Sequence, residues 1–143
     1  MVGWVPAKDV DEIDRLGLND IFCLPGRLKE ADCKTYFNES DLFISIDGKG
    51  EKDLNYPSKL LKYFYFRKPI LGLTLHNSVA AEELERSGNY HVNENDIDAI
   101  AAFLEKAFFD YKSLLGFDDN YYLKFSPESV IKSYKNIIDQ LLM

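Results

Sequence analysis

Short, almost wholly apolar runs alternate with longer amphipathic stretches along the chain, and this alternation constrains the fold more than any other feature. Four runs have the length of buried strands, at residues 21–24, 42–46, 70–75 and 90–92. The first two are closed by turn sequences, Pro-Gly and Asp-Gly. Apolar runs of this length are typical of parallel strands that are covered on both faces. We therefore predict a parallel sheet of about four or five strands.

Helices are predicted between these runs, because apolar residues recur there at intervals of three or four. The predicted helices span residues 30–38, 58–66, 78–87 and 96–111, with a last helix that opens at Ser126 and Pro127. Asn77 is the predicted N-cap of the third helix, and Gly88 is its predicted end. Strands that alternate with helices predict an α/β fold with helices on both faces of the sheet.

The alternation stops at residue 110, where a connector rich in acidic and aromatic residues begins. We therefore predict one α/β domain over residues 1–110. Residues 111–143 would supply the connector and a C-terminal amphipathic helix. That helix packs either on the domain or on a neighbour, and its pattern fits both arrangements.

Charge and composition exclude several classes of function. The chain has 17 Lys and Arg residues against 24 Asp and Glu residues, a net charge of −7 that repels a phosphate backbone, so we expect no nucleic-acid partner. It contains no apolar stretch of about 18 residues, so no transmembrane segment is predicted. Two cysteines and two separated histidines indicate neither a disulfide scaffold nor a metal site, and the thiols are expected to be reduced, as in a cytoplasmic protein.

Ligands of parallel α/β folds bind beyond the carboxyl ends of the strands, which here points to the loops at residues 25–30, 47–58 and 74–78. The second loop enters a helix at Pro57, where backbone N–H groups, the Ser58 hydroxyl and the Lys59 ammonium group suit a diphosphate. A plain helix start with a solvated lysine explains the same residues.

The segment YPSKLLKYFYFRKPILGLT, residues 56–74, resembles the nucleotide-sugar-binding half of GT-B glycosyltransferases, of the retaining type grouped as family 4. The order of strands, turns and helices extends the resemblance over about residues 16–109. It implies a carboxy-terminal, Rossmann-like domain that binds a UDP- or GDP-sugar, in an enzyme that transfers the sugar to a glycan or lipid-linked acceptor. No cofactor and no metal ion are expected beside this donor.

The resemblance assigns four residues to the donor. Ser58 and Lys59 match positions near the donor diphosphate. Gly26 and Arg27 match a turn that lies near the donor in the family, where Arg27 would offer a charge-assisted hydrogen bond to phosphate. A surface arginine in a turn is the alternative interpretation of Arg27.

Four further candidates follow from position in the chain. Thr74, His76 and Asn77 follow the third apolar run, at the end where a ligand is expected, and can bond sugar hydroxyls. His76 is equally interpretable as an ordinary loop histidine. Tyr56 stands in the loop before the helix and is the aromatic candidate for contact with a base.

One residue departs from the family pattern. Lys62 stands where the family usually has a glutamate that bonds the ribose hydroxyls. A lysine has three donors and no acceptor, so it cannot replace that carboxylate. Glu51 and Asp53 are either substitutes or exposed loop charges. The departure leaves the identity of the nucleotide, and activity itself, open.

The resemblance also implies partners outside these residues. The first strand of the donor domain and an amino-terminal acceptor-binding domain would precede Met1, so residues 1–143 alone would bind donor weakly and transfer nothing. The intact enzyme would be cytoplasmic, or peripheral to the inner membrane through its other domain. Two alternatives share the architecture: a non-enzymatic, flavodoxin-like docking module, and one half of a sugar-nucleotide epimerase.

Overall fold

A computed structural model of the chain describes residues 3–46 and 56–142. The fold separates into two units, Met1–Ser40 (unit 1) and Asp41–Met143 (unit 2). The separation lies far from the predicted domain boundary at residue 110, which falls inside unit 2. Glu51 and Asp53, the candidate ribose-binding carboxylates, lie outside the described residues, as do the rest of residues 47–55.

Unit 1 contains helices α1 (Ala7–Arg15) and α2 (Glu30–Glu39). The prediction of α2 is confirmed, whereas α1 was not predicted. The predicted strand at residues 21–24 is wrong, because the Leu18 carbonyl accepts hydrogen bonds from the backbone N–H groups of both Ile21 and Phe22. These bonds curl the chain into a turn, and Ile21 is left 76% exposed instead of buried in a sheet.

Unit 2 is built around a parallel sheet of strands β1 (Phe43–Ile46), β2 (Ile70–Leu73) and β3 (Tyr90–Val92), in the order β1-β2-β3. The register places Ile44 opposite Leu71, and Leu71 opposite Tyr90. The α/β class and the parallel sheet are confirmed. The number of strands is smaller than expected: three are found among the described residues, because the run at residues 21–24 is not a strand.

The helices of unit 2 follow the predicted order. They are α3 (Ser58–Phe66), α4 (Val79–Arg86), α5 (Ile97–Phe109) and α6 (Pro127–Leu141), with 3-10 turns at Tyr111–Leu114 and Tyr121–Phe125 in the connector. The N-cap of α4 is Ser78 and not Asn77, because the Ser78 hydroxyl accepts the Ala81 N–H at 3.0 Å. Gly88 directly follows the C-cap residue Ser87. Gly88 has φ of 70° and ends this helix as predicted.

Helices cover both faces of the sheet. On one face, Phe43 stacks on Tyr63 of α3 with ring centroids 4.6 Å apart. On the same face Gly72 leaves room for the Leu84 side chain of α4. On the other face, Leu71 forms a buried cluster with side chains of α5 and the first 3-10 turn. Strand β1 is the exception. Its residues Ile44 and Ile46 lie on the same side of the sheet as the buried Leu71, but they stay exposed.

A buried carboxylate attaches the connector to α4. Glu83 is 6% exposed and accepts hydrogen bonds from the Tyr121 hydroxyl at 2.9 Å and from Lys124 Nζ at 3.0 Å. Phe64 of α3 packs against Tyr121 with ring centroids 5.0 Å apart. The second 3-10 turn is therefore fixed on α3 and α4, and α6 begins directly after this attachment.

Candidate functional site

The carboxyl ends of the three strands lie at one edge of the sheet, because the strands are parallel. The loops that follow β2 and β3, and the start of α3 after β1, lie at this carboxyl edge. An open cleft of about 590 Å³ is found there. It is lined by His76, Asn93, Asn95, Asp96, Ile97 and Asp98. The structure therefore places a cleft where the topology predicts a ligand.

The cleft is lined mainly by polar groups: an imidazole and two amides that offer donors and acceptors, and two carboxylates that accept. Asp96 caps α5 by accepting the Ala99 N–H at 3.0 Å, so the positive end of this helix already has a carboxylate beside it. A second carboxylate, Asp98, lies in the first turn. Two carboxylates disfavour an anion in the cleft, whereas amides, an imidazole and carboxylates suit a neutral ligand rich in hydroxyl groups.

His76 is supported from behind by a second histidine. The rings of His76 and His91 meet edge to face with centroids 5.3 Å apart. His91 Nε2 lies 2.8 Å from Glu85 Oε1 of α4, which fixes the orientation of the His91 ring. His91 Nδ1 is buried and has no hydrogen-bond partner among the described residues. His91 and Glu85 therefore hold His76 at the wall of the cleft.

The start of α3 differs from the starts of the other helices of unit 2. Ser78, Asp96 and Ser126 cap α4, α5 and α6 with side-chain oxygens. No described side chain caps α3, and Ser58 and Lys59 are both exposed in its first turn. The positive end of the helix dipole and the Lys59 ammonium group together favour an anionic ligand at this helix start.

Tyr56 precedes this helix, and its side chain packs inside the fold. Its ring packs against Phe125 of the connector, with centroids 6.1 Å apart. Its hydroxyl is buried, with no hydrogen-bond partner among the described residues. Burial raises the pKa of Tyr56 well above its ordinary value of 10.0, and the nearby Glu83 carboxylate and Tyr121 add to the shift, so the hydroxyl stays protonated. Contact of Tyr56 with a base stays a prediction.

The other candidates after β2 have different environments. Thr74 is 2% exposed, and its hydroxyl lies 2.7 Å from the Ser78 hydroxyl, so it serves the turn that leads into α4. Asn77 is exposed in this turn beside His76 but does not line the cleft. The structure therefore brings His76 to the cleft, and leaves Thr74 inside the fold.

Gly26 and Arg27 belong to unit 1. Gly26 has φ of 73°, a conformation that favours glycine, and its carbonyl accepts the Gly3 N–H at 2.9 Å. Arg27 is exposed next to it. Gly26 is a bridge residue and Arg27 lies in a bend, and the assignment of both residues to a donor stays a prediction.

Four polar lining residues of the cleft were missed in the sequence: Asn93, Asn95, Asp96 and Asp98. A signal was present, since the polar segment NENDID, residues 93–98, directly follows the fourth apolar run. This run has only three residues, which is a weak strand pattern and gives little indication of a ligand loop at its carboxyl end.

No known family model matches the chain, and no curated protein matches it either. Every helix in residues 3–46 and 56–142 is too short or too polar to traverse a lipid bilayer. The carboxyl edge of unit 2 is therefore the feature from which a function can be argued.

Proposed function

We propose that unit 2 is the nucleotide-sugar-binding half of a glycosyltransferase, with a UDP- or GDP-sugar as the donor. The cleft at the carboxyl edge carries this proposal. It opens beside strands β2 and β3, and His76, Asn93 and Asp98 offer it both donors and acceptors. Ile97 adds an apolar surface for the C–H face of a sugar ring.

The two parts of the donor bind to different helix starts. The diphosphate lies at the α3 start, where Ser58 and Lys59 are exposed and no described side chain occupies the cap. The sugar lies in the cleft at the α5 start, where the carboxylates of Asp96 and Asp98 repel phosphate. Charge thus sets the orientation of the donor along the carboxyl edge.

The same arrangement favours departure of the nucleotide. When the bond from sugar to diphosphate breaks, negative charge grows on the leaving phosphate. The N–H groups of the α3 start and the Lys59 ammonium group stabilise this charge without a metal ion. Transfer needs an acceptor on the opposite side of the sugar, so residues 1–143 bind donor weakly and complete no transfer without a second domain.

The cell compartment we propose is the cytoplasm, with the intact enzyme soluble or peripheral to the inner membrane.

The Lys62 departure affects recognition of the ribose. Lys62 lies in α3, one turn after Ser58, and supplies only donors. Ribose hydroxyls can still bond to acceptors elsewhere on the carboxyl edge. The proposal therefore covers both UDP- and GDP-sugars.

A docking module without enzymatic activity is the second candidate function. Ile44 and Ile46 are exposed on β1, on a sheet face that an α/β domain ordinarily covers, and this observation favours a protein partner. The two candidates differ in one respect that can be measured, because a docking module has no reason to bind a nucleoside diphosphate at α3.

Reversing the charge of Lys59 is expected to weaken nucleotide binding. Lys59→Glu replaces an attractive charge at the α3 start with a repulsive one, so the Kd for UDP or GDP should rise by roughly tenfold, about 1.4 kcal/mol. Isothermal titration calorimetry with UDP, GDP and ADP measures this change directly.

Lys68→Glu is the matched control. Lys68 lies two residues before β2, at the amino edge of the sheet. Lys68→Glu changes the net charge of the chain by the same amount as Lys59→Glu. It should change the Kd by less than about twofold, because screening removes most of its effect over the distance between the two edges. Equal losses in both variants, or no nucleotide binding by the unmodified protein at millimolar concentration, would contradict the proposal.

A further inference from the structure

We propose that the exposed apolar face of α6 is a dimerisation surface that pairs with the same helix of a second copy of the chain. The face, called here the α6 stripe, consists of Val130, Ile131, Tyr134, Ile137, Ile138, Leu141 and Leu142. These residues repeat at intervals of three and four, so they lie along one side of the helix. None of them is buried: their exposed fractions run from 40% to 81%.

The exposed area is large enough for a stable pair. At about 100 Å² of apolar surface for a fully exposed aliphatic side chain, the α6 stripe leaves roughly 400 Å² of apolar surface in water. This is close to the apolar part, roughly 500 Å², of the surface that each partner contributes to a stable protein–protein interface of standard size. Monomeric proteins rarely expose a continuous apolar patch of more than a few hundred Å².

Five residues of the α6 stripe are arranged symmetrically about Tyr134, which is the middle residue of Pro127–Leu141. An antiparallel pair with a two-fold axis at Tyr134 places Val130 opposite Ile138, and Ile131 opposite Ile137. In the middle of the helix apolar residues therefore meet apolar residues, as a self-complementary two-fold interface requires. Leu141 and Leu142 lie opposite Pro127 and Ser126 at the two ends of the pair.

The charges of α6 are compatible with the same pairing. Glu128 and Asp139 balance Lys132 and Lys135, so α6 has no net side-chain charge in a chain of net charge −7. About the axis at Tyr134, each of these four residues faces an uncharged partner, so no like charges meet. Antiparallel helix dipoles add a small attraction.

A membrane surface is a less suitable occupant. Helices that lie on membranes typically carry many basic residues on their polar face, whereas α6 has only Lys132 and Lys135, balanced by two acids. The net charge of −7 also repels an anionic lipid surface. A second copy therefore fits the neutral, symmetric stripe best.

Analytical ultracentrifugation of the full chain tests the proposal. We expect a dimer of the 16.5 kDa chain at tens of micromolar. Ile138→Glu places a charge in the stripe and should raise the dimer Kd by about 100-fold or more. Asn136→Glu adds the same charge on the polar face of α6, one turn after Lys132 of the same helix, and should leave the Kd within about threefold.

Far-UV circular dichroism of both variants verifies that α6 stays helical, which we expect because neither position is buried. A monomer at 200 μM would overturn the proposal, and so would a dimer that Ile138→Glu leaves intact. Neither result depends on nucleotide binding, so failure here and failure of the proposed function are distinguishable.

Cross-linking tests the antiparallel pairing. In a background with Cys23→Ser and Cys33→Ser, Tyr134→Cys places two thiols at the two-fold axis, and oxidised glutathione should join them into a covalent dimer on a non-reducing gel. Asn136→Cys, on the polar face, should remain a monomer on the same gel. Preferential cross-linking of Asn136→Cys would overturn the antiparallel arrangement.

Discussion

Replacing Leu71 with alanine is expected to lower the free energy of unfolding by about 2–5 kcal/mol, which would remove much of the stability of a domain of this size. Leu71 lies in the central strand β2 and is fully buried with Phe103 and Leu114. Alanine leaves a cavity between the sheet, α5 and the first 3-10 turn, and none of these elements can collapse into it without losing its own contacts.

Ile44→Ala is the control for this prediction. Ile44 is the register partner of Leu71 on β1 and points to the same face, but it is 42% exposed. Its replacement should cost less than about 1 kcal/mol. Urea unfolding followed by far-UV circular dichroism measures both variants. The single tryptophan, Trp4, lies in unit 1, and circular dichroism is preferred because it reports on the helices of unit 2 directly. Similar losses in the two variants would contradict the described packing of the sheet.

Replacing Glu83 with alanine should lower the free energy of unfolding by about 1–3 kcal/mol. The Tyr121 hydroxyl and the Lys124 ammonium group lose their shared acceptor, and the second 3-10 turn loses its attachment to α4. Glu82→Ala, one position earlier on the exposed side of α4, removes only the surface ion pair with Arg86 and should cost about 0.5 kcal/mol or less. If the two variants lose equal stability, the buried attachment is wrong.

The contribution of Glu83 should also depend on pH. Burial alone would raise the pKa of this carboxyl group, but hydrogen bonds from Lys124 and Tyr121, with the positive charge of Lys124, more than offset it. The pKa is therefore held below its ordinary value of 4.5. The stabilisation is complete above pH 4.5 and is lost as the pH falls through the lower pKa of the folded state. The free energy of unfolding should be measured by urea titration at a series of decreasing pH values. The difference in this free energy between the wild type and Glu83→Ala should shrink below about pH 4.5.

The α/β alternation could be predicted because its signals are local. Helix α3 begins after Pro57 and ends before Arg67, and its predicted bounds are those of the structure. Strands β1 and β2 were found from their apolar runs in the same way. The run at residues 21–24 has the same local pattern, but a strand also needs a neighbour to pair with, and apolar composition does not encode the neighbour.

Much of the candidate site depends on contacts between distant residues, which local patterns do not show. The position of His76 is fixed by His91 and Glu85, which lie on β3 and α4. The cleft is completed by residues 93–98, whose strand is only three residues long. Ser58 and Lys59 were accessible to prediction because a proline, a serine and a lysine at a helix start are neighbours in the sequence.

Mapping of ligand contacts by NMR decides whether the carboxyl edge of unit 2 binds a sugar nucleotide. Amide shifts of ¹⁵N-labelled protein would be followed as UDP, UDP-glucose and GDP-mannose are added to millimolar concentration. We expect nucleoside diphosphate to perturb the amides of Ser58 and Lys59, and the attached sugar to perturb in addition those of His76 and residues 93–98. If these amides do not respond to any of the three compounds, the carboxyl edge of unit 2 is not a sugar-nucleotide site.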